Sequence, residues 1–70
     1  MSNPVNDFMN LNKALNAIKC SKPDTAFHFI KLVCSDEDIK EYQKLFDHKK
    51  YNVISLMLED SISACETMIY

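Results

Sequence analysis

Ser35-Asp36-Glu37-Asp38-Ile39-Lys40-Glu41-Tyr42-Gln43-Lys44-Leu45-Phe46-Asp47 carries the marks of a helix from its first residue to its last. The Ser35 hydroxyl can accept from the Asp38 amide, and the Asp38 carboxylate can reach back, a shortened capping box. Three acids in the first turn suit the positive end of the helix dipole. Ile39, Tyr42, Leu45 and Phe46 recur at helical spacing and make one apolar face. Beyond Asp47 and His48 two readings stay open. The helix continues through Lys49-Lys50 into Val53 to Leu58, or it breaks near Tyr51-Asn52 and restarts.

Upstream, Asn3 before Pro4 reads as an N-cap with proline at the first helical position. Val5, Phe8, Leu11, Leu15 and Ile18 share a face behind it, with Lys13, Asn16 and Lys19 mainly on the other side, which predicts a helix over residues 4–19. Cys20-Ser21-Lys22-Pro23 breaks the pattern, and Pro23, Asp24 and Thr25 open a second helix. Its stripe is Ala26, Phe29, Ile30 and Val33, with Phe27 on the flank. This short apolar helix is the expected centre of the molecule. Downstream, Ile54, Met57 and Leu58 keep helical spacing, Asp60-Ser61 is a polar interruption, and Ser63-Ala64-Cys65-Glu66 has capping-box spacing for a last short turn ending at Ile69-Tyr70.

The composition agrees. The chain has 70 residues and no glycine, where average usage would supply about five. Tight hairpins, β-bulges and most left-handed caps rely on glycine, whereas helices joined by Asn, Asp, Ser and Pro do not. The expectation is a single all-α domain over residues 1–70, built of three to four short helices. The formal net charge is −2, and all eight basic residues are lysines. They are scattered along the chain, apart from Lys49-Lys50 beside His48. Without arginine there is no bidentate fork to read guanine or grip phosphate, so autonomous duplex-DNA binding is not expected. The three cysteines, an odd number, and the lack of a signal-peptide pattern read as reduced thiols in a soluble cytoplasmic protein.

No constellation for chemistry stands out. His28 and His48 do not fall at metal-ligand spacing from Cys20, Cys34 or Cys65, so no metal or other cofactor is expected. Cys20 and Cys34 sit at helix C-terminal ends, where the dipole opposes a thiolate, and the chain does not read as an enzyme. Asp36, Glu37 and Asp38 are explained by capping. Asp47 is not, because it follows Phe46 far from any helix start; it reads either as part of a solvated helix face or as a charge offered to a basic partner. Phe8, Phe27, Phe29, Tyr42, Phe46 and Tyr51 read mostly as core. Six rings and four methionines overfill so small a core, so an exposed apolar patch is expected.

Two stretches carry a family resemblance. Lys19-Cys20-x-x-Pro23-Asp24-Thr25 with Ile30, and Ser35-Asp36-x-Asp38-Ile39-x-x-Tyr42 followed by Asp47-His48-Lys49, with Leu58, Asp60 and Ile62 further on, resemble the Hha/YmoA family of small bacterial expression modulators. A short deletion separates the stretches, Asn12-Lys13-Ala14 replaces the family's arginine-rich segment, Leu45-Phe46 replaces alanines, and the tryptophan is missing. The resemblance implies a four-helix protein that binds the N-terminal dimerisation region of an H-NS-type nucleoid protein and modulates silencing without reading bases. It implies that Asp47 contacts basic residues of that partner and that Cys20 is a structural thiol. The candidate partner-binding residues are Asp47, His48, Asp36 and Lys49. A homodimer is compatible with this reading. The alternative function is a phage- or plasmid-type inhibitor that occludes a host enzyme or regulator.

Overall fold

Asn3 starts the first helix as its sequence requires: its side-chain oxygen accepts the Val5 amide at 3.0 Å, with Pro4 behind it. The computed structural model describes residues 3–69, which form α1 Pro4–Lys19, α2 Pro23–Val33, α3 Asp36–Asp47 and α4 Tyr51–Ile69. Proline opens α2 as well, with no side-chain cap from Lys22. At α3 the Ser35 hydroxyl accepts the Asp38 amide at a long 3.4 Å. The return bond from the Asp38 carboxylate is not made among the described residues, so the box is half formed.

The ends of α1 and α3 are built alike. Lys22 N–H donates to the Ala17 carbonyl at 2.8 Å and Ser21 N–H to that of Ile18 at 3.1 Å; Lys50 donates to Leu45 at 2.8 Å and Lys49 to Phe46 at 3.1 Å. These paired bonds are Schellman motifs, which need one residue in the left-handed region. With no glycine to take that place, Ser21 (φ 60°) and Lys49 (φ 56°) do. The composition had argued against left-handed caps, and the chain makes two of them with side-chain-bearing residues. The second one also decides the open question over residues 36–58. There are two helices, separated at His48–Lys50.

The expected break at Asp60-Ser61 does not occur, and α4 runs unbroken to Ile69. Neither proline nor glycine interrupts this stretch, and Asp60 faces solvent, so nothing opposes helical φ/ψ. Ser63 is not a cap: its carbonyl accepts the Thr67 hydroxyl at 3.0 Å, one turn along. Tyr70, placed in the last turn by the sequence, lies outside the described residues.

The helices form a ring in which α1 packs on α2 and α4, and α3 closes it by touching the same two. Leu11, Ala14 and Leu15 of α1, Ile30 of α2, Tyr42 of α3, and Ile54 and Leu58 of α4 make the core. The central element is therefore α1, not α2 as the apolar composition suggested. Buried alanines explain it: Ala14, Ala17 and Ala26 let the α1 and α2 backbones approach closely. Helix α2 fully buries only Ala26 and Ile30 and leaves Leu32 59% exposed. Val5, expected in the α1 stripe, is exposed, since no described residue covers the first turn of α1 on that side. Of the six rings only Tyr42 is fully buried; the others are half-buried and remain partly available at the surface. Among the described residues no helix is long and apolar enough to cross a membrane.

Candidate functional site

Both Schellman turns lie at the same end of the bundle, and they bring the start of α2, the end of α3 and the start of α4 together. Three shallow concavities meet there at half-buried Tyr51. One, about 270 Å³, is lined by Ile18, Ser21, Pro23 and Tyr51. The next, about 220 Å³, places Asp24 and Asp47 beside Phe27, Phe46 and Tyr51. The third, about 380 Å³, runs over Lys49, Lys50 and Val53. Phe27 and Phe46 are 5.1 Å apart between ring centroids, and Phe46 and Tyr51 are 6.3 Å apart in an edge-on pair. The floor is thus a chain of three rings. Lys31 sits over the Phe27 ring at 4.7 Å, within cation–π range.

Of the residues proposed from sequence, three come together here. Asp47 ends α3 and lines the ring-floored groove. His48 is the α3 C-cap, and Lys49 is the left-handed residue that follows it. Asp36 is the first residue of the same helix, about 16 Å away at 1.5 Å per residue, and shares no surface with them. Sequence reasoning missed Asp24, Pro23 and Tyr51. Asp24 reads as a first-turn acid and Tyr51 as core; only the turn that folds α4 back past α2 makes them neighbours of Asp47.

The fold also sorts the charges that look scattered in the sequence. Lys19, Lys22, Lys44, His48, Lys49 and Lys50 fall on the helix ends and turns that meet at this end, together with Asp24 and Asp47, and Lys31 reaches the Phe27 ring from further along α2. The positive N-termini of α2 and α4 point the same way. Asp7, Asp36, Glu37, Asp38, Asp60 and Glu66 lie toward the other end. There a second groove, about 230 Å³, is lined by Cys34, Asp38, Tyr42, Met57, Asp60 and Ser61.

Its thiol and phenol both resist ionisation. Burial, then Asp38 and Asp7, push Cys34 up from 9.0 to about 11. Burial, then Cys34, push Tyr42 from 10.0 to about 12, partly offset by the Ser61 hydroxyl. Burial and Asp7 also raise Cys65. An activated nucleophile shows the reverse shift. Among the described residues no three of His, Cys, Asp and Glu are grouped closely enough to hold a metal ion. What the turn end can do chemically is hold a side chain that is flat or apolar along its length and cationic at its tip. Comparison with family models, curated proteins and solved structures gives no match to this chain.

Proposed function

We propose that this protein is a non-enzymatic interaction module that modulates gene expression in the cytoplasm by docking on a nucleoid-associated protein of the H-NS type. One observation carries the reading: Asp47 stands with Asp24 at the edge of a groove floored by Phe27, Phe46 and Tyr51. Interface anchors are buried aromatic and charged groups of this kind. The carboxylates can take charge-assisted hydrogen bonds from a basic partner while the rings remove its apolar stem from water. Lysines at this end oppose an incoming cation, and Asp24 and Asp47 favour seating a basic partner along the strip between them. The resemblance to the Hha/YmoA family supports the same residue, Asp47, as the contact.

Calorimetric titration against the N-terminal dimerisation region of an H-NS-type protein tests the proposal. Asp47→Asn is expected to leave the melting temperature unchanged within the error of an exposed substitution, about 0.5 kcal/mol. Binding should weaken by about tenfold or more, with the defect shrinking as salt rises. No binding by the wild type, with a single enzyme recovered from a bacterial lysate instead, would favour the inhibitor reading.

A further inference from the structure

One apolar stripe of α4 outruns the body of the protein. Ile54 and Leu58 are fully buried, Ile62 and Cys65 are half-buried, and Ile69 is 39% exposed, with Met68 beside it at 70%. The spacing of these residues is that of a core face, yet no described residue buries the last turn of the helix. Glu66 borders Ile69, Glu59 lies two turns before it on the same side, and no basic residue occupies the last turn to offset the negative helix end. The opposite end of the molecule has the complementary character. Beside the groove of Asp24 and Asp47, two further concavities open at Tyr51, one lined by Ile18, Ser21 and Pro23 next to Lys22, the other by Lys49, Lys50 and Val53, and two helix N-termini face outward there.

We infer that a second copy of this chain docks head-to-tail, the last turns of α4 of one copy seating on the lysine-rimmed Tyr51 face of the next. Charge selects this arrangement over a symmetric one. Two α4 ends meeting each other would oppose Glu66 to Glu66, and two turn ends would oppose lysine to lysine. The head-to-tail contact instead pairs acid with lysine and a negative helix end with positive ones, while covering Met68 and Ile69. A contact of different surfaces does not close on itself by symmetry, so it can repeat. The buried patch is small, which places the association among weak, transient contacts. The inference goes beyond the proposed function and does not depend on the identity of any partner, although both use the Tyr51 face.

The test is sedimentation velocity over a concentration series at low and high salt, with two charge variants checked for folding by circular dichroism. The wild type is expected to sediment faster as concentration rises, and to lose that trend in high salt. Lys22→Glu/Lys50→Glu gives the Tyr51 rim the same sign as the flank of the α4 stripe, and Glu59→Lys/Glu66→Lys gives that flank the same sign as the rim. Each variant alone is expected to remain monomeric, whereas their equimolar mixture associates at least as strongly as wild type. The second variant changes the net charge from −2 to +2, so its failure to associate reports where the charges sit and not their sum. A wild type that stays monomeric throughout, a single variant that still associates, or a mixture that does not would each overturn the inference. Titration of the nucleoid protein separately decides the proposed function, so the two can fail independently.

Discussion

Ser21 and Lys49 show most directly what a glycine-free chain costs. A Cβ in the left-handed region is crowded by about 1 kcal/mol, and both positions hold that conformation because the Schellman bonds after α1 and α3 require it. Ser21→Gly and Lys49→Gly should each raise stability, by up to about 1 kcal/mol after the extra freedom glycine gives the unfolded chain. Chemical denaturation measures it; a loss of stability in both would mean the turns are not strained. Lys49→Gly also removes a candidate contact, so it separates the backbone role from any part the ammonium plays in binding. Cys34 gives a second residue-scale expectation. Its thiol ionises near 9.0 in the unfolded chain and about 11 when folded. The folded state therefore holds the proton longer, and the stability this contributes is complete below pH 9 and lost as pH climbs toward 11. The melting temperature should fall across that window, and less steeply in Cys34→Ala; equal slopes would contradict the assignment. At this scale Asp47 was legible in the sequence, because an acid far from a helix start has no local explanation. Asp24 was not, because a first-turn acid already has one.

Helix starts were legible because each uses a local signal: Asn3-Pro4, Lys22-Pro23 and Ser35 all begin helices where the sequence placed them. Helix ends and interruptions were less so. The same capping pattern that is half realised at Ser35 is unused at Ser63, because α4 already continues through it with its outer face in water. A capping pattern only matters where the chain needs a start, and tertiary packing along Ile54, Leu58 and Ile62 keeps α4 going. The two N-caps should therefore differ from Ser63 on substitution. Asn3→Ala and Ser35→Ala should cost about 0.5–2 kcal/mol, the weaker Ser35 bond toward the low end, while Ser63→Ala should be neutral or slightly stabilising, since alanine is the better helix former. A Ser63→Ala cost as large as that of Asn3→Ala, measured by urea denaturation, would mean that α4 is two helices.

For the whole molecule, what one dimension hid was adjacency. Periodicity identified Leu11, Leu15, Ile30, Tyr42, Ile54 and Leu58 as inward, and all are core. It could not say that small side chains, Ala14, Ala17 and Ala26, would make α1 the centre. Nor could it say that two turns far apart in sequence would meet at one end. That meeting turns scattered lysines into a rim, makes neighbours of Asp24 and Asp47, and leaves Phe27, Phe46 and Tyr51 half-covered at the surface. A protein partner seated at this end should perturb these residues first. The most direct test is to add the unlabelled dimerisation region of an H-NS-type protein to the ¹⁵N-labelled chain and follow its amide resonances. Shifts should concentrate at Asp24, Phe27, Phe46, Asp47 and Tyr51 and be much reduced in Asp47→Asn, with Asp36 unmoved. Shifts centred on Asp36 and the groove of Asp38 and Asp60, or no shifts at all, would contradict it.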